Sequence, residues 1–257
     1  MRLLLALWLV AGCAQSRPAE EMEGYTLVNA REPQPVVTGP TRCEMPCSLV
    51  HVDGFDNSLE EAKANFATVA SEYRRAGGRC QVFGFAWRSD VGLRRFSVAE
   101  TLADEVGGPA LARFLRSLHT RCDPQPVHVM GHSLAARVIM RALVPEERVR
   151  VDTVTLVAPA IFDDAIAVDG EFSRSVAQIG HTYVLYNTAD HVVLGSIFPM
   201  ASRRFRWPLG LHGNRGQVAP SVTEVDFGPE WGIVHSVRKS LGPSLWRYLL
   251  PRTERYL

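Results

Sequence analysis

Several things this sequence lacks narrow it before any motif is read. It lacks net charge: 28 Lys and Arg stand against 27 Asp and Glu, a formal +1, so nothing pulls it generally toward nucleic acid. It has no internal repeat and no low-complexity tract, which excludes solenoid and fibrous architectures. Its longest early apolar run, Leu3 to Val10, falls well short of the roughly 20 residues that span a bilayer. Cysteine is sparse, with 5 in 257 residues. A C-x₃-C pair such as Cys43 and Cys47 can also be read as zinc-binding, but an exported chain favours disulfides, so a zinc site is not expected and no metal or organic cofactor is called for. What remains is a chain 46% apolar, enough for a packed core and of a length that suits one mid-sized α/β domain.

The first residues read as a targeting segment. Met1-Arg2 gives a positive start, the short apolar run follows, and Val10-Ala11-Gly12-Cys13 closes it. Small residues directly before cysteine resemble the bacterial lipobox, so residues 1–12 are expected to be a lipoprotein signal peptide and Cys13 the lipidated residue. Residues 13–23 would be the lipidated tether and 24–257 the folded domain. Ala14 rather than aspartate after Cys13 favours the outer membrane, with the domain facing the periplasm. Export would set an oxidising context. Cys43, Cys47, Cys80 and Cys122 then form an even set, suggesting two disulfides with three possible pairings. Cys47, Cys80 and Cys122 each precede a predicted strand and should gather at the amino edge of a parallel sheet.

Along the rest of the chain, apolar strands alternate with amphipathic helices. Tyr25 to Val28 and Pro35 to Val37 are β-like pieces, read as edge strands or irregular packing. Ser48 to Val52, Gln81 to Trp87, Val127 to Met130, Val154 to Ala158, His181 to Tyr186 and Val222 to Phe227 read as strands, most of them apolar throughout. Such strands belong to a sheet covered on both faces. Ser58 with Glu61, and Ser97 with Glu100, have capping-box spacing for helix starts. The second of these helices should break at Gly107-Gly108-Pro109. A Trp-, Arg- and Gly-rich insertion, Phe198 to Gly216, precedes the last strand and could line an entrance or simply form an exposed loop. A terminal helical region carries His235, Trp246, Leu249 and Leu250.

The chemistry centres on Gly131-His132-Ser133-Leu134-Ala135. A strand runs into one glycine, presents a serine, and continues as a helix. That is a nucleophile elbow, and its tight turn needs small residues two before and two after the serine, here Gly131 and Ala135. A serine hydroxyl needs a base, and the base needs a carboxylate to set its tautomer. In the elbow layout these follow in the order serine, acid, histidine, at the carboxyl ends of strands. Ser133, Asp190 and His235 supply that order. Asp163 and Asp164 are competing acids after the preceding strand. His191 lies too near Asp190 in sequence, and His212, ahead of the last strand, should lie at the wrong edge. Two backbone N–H groups must hold the oxyanion: Leu134, after the nucleophile, and Phe55, in the loop Asp53-Gly54-Phe55.

These residues carry a resemblance. Val52-Asp53-Gly54-Phe55-Asp56-Asn57-Ser58, Gly131-His132-Ser133-Leu134, Tyr186-Asn187-Thr188-Ala189-Asp190 and Val234-His235-Ser236 resemble a group of bacterial α/β-hydrolases of the esterase/lipase superfamily, several of them exported lipoproteins. The resemblance covers roughly Ser48 to Ser236. It implies an α/β-hydrolase fold, a mostly parallel sheet with helices on both faces, and hydrolysis of an ester, thioester or amide. The family loop usually reads His-Gly-Tyr/Phe-Asn-Asn-Ser, whereas here Asp53 replaces the histidine and Asp56 the first asparagine. A negative charge beside a developing oxyanion would oppose it unless it points away.

The reading is therefore a membrane-tethered serine hydrolase, with a small-molecule or lipid acyl ester as substrate and no nucleic-acid partner. An acyltransferase with the same triad differs only in the final acceptor. The rival is a catalytically silent envelope scaffold of the same fold, to which Asp53 and Asp56 give weight.

Overall fold

The computed structural model describes residues 24–32, 34–39, 41, 43–122, 125–190, 207–232, 235 and 242–253. The expected signal peptide, Cys13 and the tether lie outside the described residues, as do His191 and the first half of the Phe198 to Gly216 insertion. Among the described residues no helix is long and apolar enough to cross a membrane.

One eight-stranded sheet organises the chain, in the order β2-β1-β4-β3-β5-β6-β7-β8. Its strands are β1 (Thr26–Ala30), β2 (Val36–Thr38), β3 (Ser48–Val52), β4 (Gln81–Trp87), β5 (Val127–His132), β6 (Val151–Val157), β7 (Ile179–Tyr186) and β8 (Val222–Asp226). All neighbours pair in parallel except β1 with β2. β3, β4 and β5 are buried at every residue, because helices cover both faces. One face packs under α3 (Gly108–Cys122) and α4 (Ala135–Ala142), through Phe114, Leu115 and Ile139. The other packs under α1 (Leu59–Arg75) and the terminal helix α8 (Pro243–Thr253), through Phe66, Tyr73, Trp246 and Leu249. Between them lie α2 (Phe96–Leu102) and the single-turn helices α5 (Ser173–Val176), α6 (Leu209–His212) and α7 (Gly228–Trp231).

Chain direction fixes where a site can form. From β3 the chain crosses through α1 to β4 on one side, then returns past β3 to β5 on the other. The strand order reverses at β3 and β5, and loops leaving their carboxyl ends part there and leave a crevice. The loop after β3 and the elbow after β5 both border it.

Three sequence expectations need correction. β1 is not an edge strand: it lies between β2 and β4, and the edge falls to the short β2. Ser97 does not cap a helix. A 3₁₀ turn, Leu93–Arg95, leads into α2, so Ser97 falls inside the helix and Arg95 takes the cap position without a side-chain bond. The chain does not break at Gly107-Gly108-Pro109 either. It widens into a π-helical turn, Ala103–Gly107, and continues directly as α3. That turn carries Asp104, whose carboxylate binds both Arg137 and Arg141 of α4, anchoring the helix behind the elbow. The other capping box is present: Ser58 and Glu61 satisfy each other's backbone N–H at the start of α1, an arrangement worth about 1 kcal/mol.

Two disulfides close the amino edge. Cys47–Cys80 joins the starts of neighbouring β3 and β4, and Cys43–Cys122 ties the approach to β3 to the end of α3. Cys47, Cys80 and Cys122 thus gather at the edge expected of them, and Cys43 joins them there through Cys122.

Candidate active site

The elbow is built as its sequence requires. Ser133 has φ 59°, a left-handed backbone that costs a non-glycine residue on the order of 1–3 kcal/mol. Bonds to the end of β6 and beyond hold it there. The Ser133 N–H donates to Val157 O at 2.9 Å, and Ser133 O accepts from Ala160 N at 3.0 Å. Gly131 and Ala135 are small for a reason of space. A Cβ on Gly131 would lie 2.7 Å from the Ala135 Cβ and 2.8 Å from the Ile139 Cδ1, closer than packed carbons allow. Either position enlarged would push α4 off β5 and swing Ser133 out of place.

Asp190 and His235, 45 residues apart, meet: His235 Nδ1 lies 2.6 Å from Asp190 Oδ2. Asp190 has no solvent exposure and the His235 side chain is 12% exposed. The turn bearing Asp190 is organised by Asn187, whose carbonyl accepts from the Asp190 N–H at 3.0 Å. Asn187 Nδ2 reaches Gly232 O at 2.8 Å, so one fully buried amide joins the acid's turn to the segment that leads to His235. The His235 ring in turn lies against His132, centroids 4.4 Å apart, which sets the imidazole beside the residue preceding Ser133.

Two of the competing candidates, Asp163 and His212, have other partners. Asp163 is buried and faces Arg215 Nε at 3.7 Å, so the carboxylate on His235 is that of Asp190. His212 is not at the wrong edge. The chain crosses above the carboxyl ends first, with Asn187 N bonded to Gly210 O and Gly210 N to Pro159 O, and only then descends to begin β8. The His212 ring packs on Trp207.

The loop after β3 lies against the elbow. A Cβ on Gly54 would stand 3.3 Å from His132 O, so glycine serves here for close approach, not for unusual backbone angles. Among the described residues no acceptor is bonded to the N–H of Phe55 or of Leu134. Both expected oxyanion donors are therefore uncommitted, and the loop is held by others. Trp87 Nε1 donates to Asp53 O at 2.8 Å, and the Phe55 ring packs edge-on against Phe96. Asp56 turns away, its carboxylate accepting from Gly92 N at 2.8 Å.

Asp53 is the departure that matters. It is 1% exposed and accepts from Asn57 Nδ2 at 3.1 Å and Asn65 Nδ2 at 3.5 Å. Burial pushes its carboxyl up to about 7, against those bonds, the Gly54 N–H and the charge on Arg31. Native Asp53 therefore holds its proton where an unfolded chain has lost it, so its contribution to stability is present at acid pH and lost as pH rises from about 4 to 7. Asp53→Asn is expected to raise the melting temperature by several degrees at pH 8 and to change it little at pH 4.5. Equal shifts at both pH values would sink this account.

Sequence reasoning missed His132 and Asn187. His132 occupies the free position of the G-x-S string, where no residue type is demanded. Asn187 carried the signal of a turn-forming amide three residues before the acid. As for metals, Cys47, Cys80 and His128 are the one grouping of ligand atoms among the described residues, but its two sulfurs are joined to each other.

The family described as "Alpha/beta hydrolase of unknown function (DUF900)" matches residues 46–194, from the start of β3 to just past Asp190. No curated protein matches. Among solved structures, TT1662 from Thermus thermophilus is 16% identical over 82% of this chain and 89% of its own, with a TM-score of 0.49. The mature form of the Bacillus licheniformis lipase BlEst2 is 14% identical over 90% of this chain and 98% of its own, with a TM-score of 0.45. The family match spans more than half of the 257 residues and agrees with the sheet order and the elbow: the protein belongs to the alpha/beta hydrolases of unknown function.

Proposed function

We propose that the protein is a serine hydrolase cleaving a carboxylic ester of a small molecule or lipid through Ser133, His235 and Asp190. The observation that carries this reading is the 2.6 Å contact between His235 Nδ1 and Asp190 Oδ2, beside an elbow that holds Ser133 in a strained backbone. With Nδ1 committed to the acid, Nε2 is the nitrogen left to take the serine proton. Ser133 Oγ then bonds to the acyl carbon, and the Phe55 and Leu134 N–H groups face the oxygen as it gains charge. The C–O bond to the alcohol breaks as His235 returns the proton to that alcohol. Water repeats the sequence on the acyl-enzyme and frees the acid; another acceptor in its place would make an acyltransferase.

A fluorophosphonate probe tests the reading. Labelling of the wild type and none of Ser133→Ala is the expected result. If neither is labelled, the silent-scaffold reading replaces it. We place the enzyme at the periplasmic face of the outer membrane, held by lipid on Cys13, on the strength of the Val10-Ala11-Gly12-Cys13 string for the anchor and of Ala14 after it for the membrane. Labelled palmitate should enter the wild type and not Cys13→Ser; equal incorporation in both would refute the anchor.

A further inference from the structure

We propose that His132 is the positioning residue of this site, the surface against which the His235 ring is set. The inference rests on the serine-hydrolase reading above. His132 stands at the end of β5 with its ring buried at 4% exposure. On one side lies the His235 ring, at 4.4 Å between centroids and a 43° tilt. On another lies the oxyanion loop: a Cβ on Gly54 would come within 3.7 Å of His132 Nδ1. One imidazole thus lies beside both the base and the loop proposed to face the substrate oxygen.

The need for such a contact follows from how His235 is held. A single hydrogen bond to Asp190 fixes where Nδ1 is but leaves the ring free to turn about that bond. Turning sweeps Nε2 through an arc, and only part of it points at the serine. A second contact, on the ring face, removes that freedom. His132 supplies it without adding charge. Burial, then the nearby charges of His235 and His51, hold His132 well below the ordinary imidazole range. It therefore stays neutral while His235 carries the proton. Stability alone does not account for an imidazole here. His132 Nε2 has no hydrogen-bond partner among the described residues, and a buried nitrogen without one is a cost to folding.

The test compares the full chain as wild type, His132→Leu and His132→Phe, on a chromogenic short-chain ester and by the rate of fluorophosphonate labelling. His132→Leu fills the space but has no flat ring. It is expected to lower kcat and the labelling rate by about 10- to 100-fold while KM stays within about twofold, and His132→Phe, which restores a ring, to recover to within about threefold of wild type. Should His132→Leu fail to fold, His132→Asn takes its place with the same expectation. A ringless variant that keeps wild-type kcat overturns the proposal. So does a phenylalanine variant that falls as far as the ringless one, or a loss confined to KM. Failure of the serine-hydrolase reading looks different, because the wild type itself would then go unlabelled.

Discussion

Asp190→Asn is expected to lower kcat by about 10⁴-fold while the protein stays folded. The Asp190 carboxylate lies 2.6 Å from His235 Nδ1 in a place without solvent exposure. A carboxylate there does two things. In the proposed reaction it holds the imidazole in the tautomer whose Nε2 is bare, and it offsets the positive charge that appears when His235 takes the serine proton. An amide can do neither: its –NH₂ donates to Nδ1 and drives the proton to Nε2, where it blocks the chemistry. Two ties of the turn, the backbone bond from Asp190 N to Asn187 O and the side-chain bond from Asn187 Nδ2 to Gly232 O, do not involve the carboxylate, so unfolding should not mimic the loss. The measurement is steady-state kinetics on a short-chain ester beside thermal melting. Asp163→Asn is the counterpart, expected to stay within a few-fold of wild type because Asp163 faces Arg215. If that variant lost activity and Asp190→Asn did not, the acid would have been assigned to the wrong strand.

The parts of this site that were legible in the sequence are those on which the backbone places a demand. The elbow must have small residues on either side of its serine, so Gly131 and Ala135 announce it. The order serine, acid, histidine follows from chain topology, so Asp190 and His235 could be picked out although 45 residues separate them. Contacts made only in three dimensions were not legible. His212 looked misplaced because it precedes β8, which suggested the amino edge, yet the segment crosses above the sheet before it descends. Ser97 and Glu100 have the spacing of a cap, but three residues of 3₁₀ turn ahead of them had already started the helix. The Gly107-Gly108-Pro109 string reads as a break by propensity. Packing overrode it, because the π turn lets Asp104 reach two arginines of α4, and proline tolerates the first turn of the helix that follows.

The departure at Asp53 bears on the two rival readings in the same physical terms. A permanent charge in the oxyanion loop would weigh toward a silent scaffold. A carboxyl pushed up to about 7 by burial is substantially protonated at neutral pH and, with Asn57 and Asn65 on its oxygen, serves to hold the loop. What faces the elbow from this loop is its backbone at Gly54, not the carboxyl group.

Loss of the disulfides should be the largest stability effect that leaves the chemistry alone. In the chain-entropy account, closing loops with sequence separations of 79 and 33 residues restricts the unfolded chain by about 4.5 and about 3.7 kcal/mol at 25 °C. The smaller loop lies within the larger, so the two are not independent, and losing both should cost less than their sum. Against the roughly 5–15 kcal/mol by which whole domains are stable, even one is a large share. Cys43→Ala with Cys122→Ala is therefore expected to lower the free energy of urea unfolding by about 4 kcal/mol. The same pair should leave the fluorophosphonate labelling rate of the folded protein unchanged. The reason is position: both bridges lie at the amino edge of the sheet, while Ser133 stands at the carboxyl edge with all of β5 between them. A variant that kept its urea midpoint but labelled slowly would show that the bridges act on the site and not on the unfolded chain. A reduced protein that melted with the oxidised one would show that the strands and helices need no help from them.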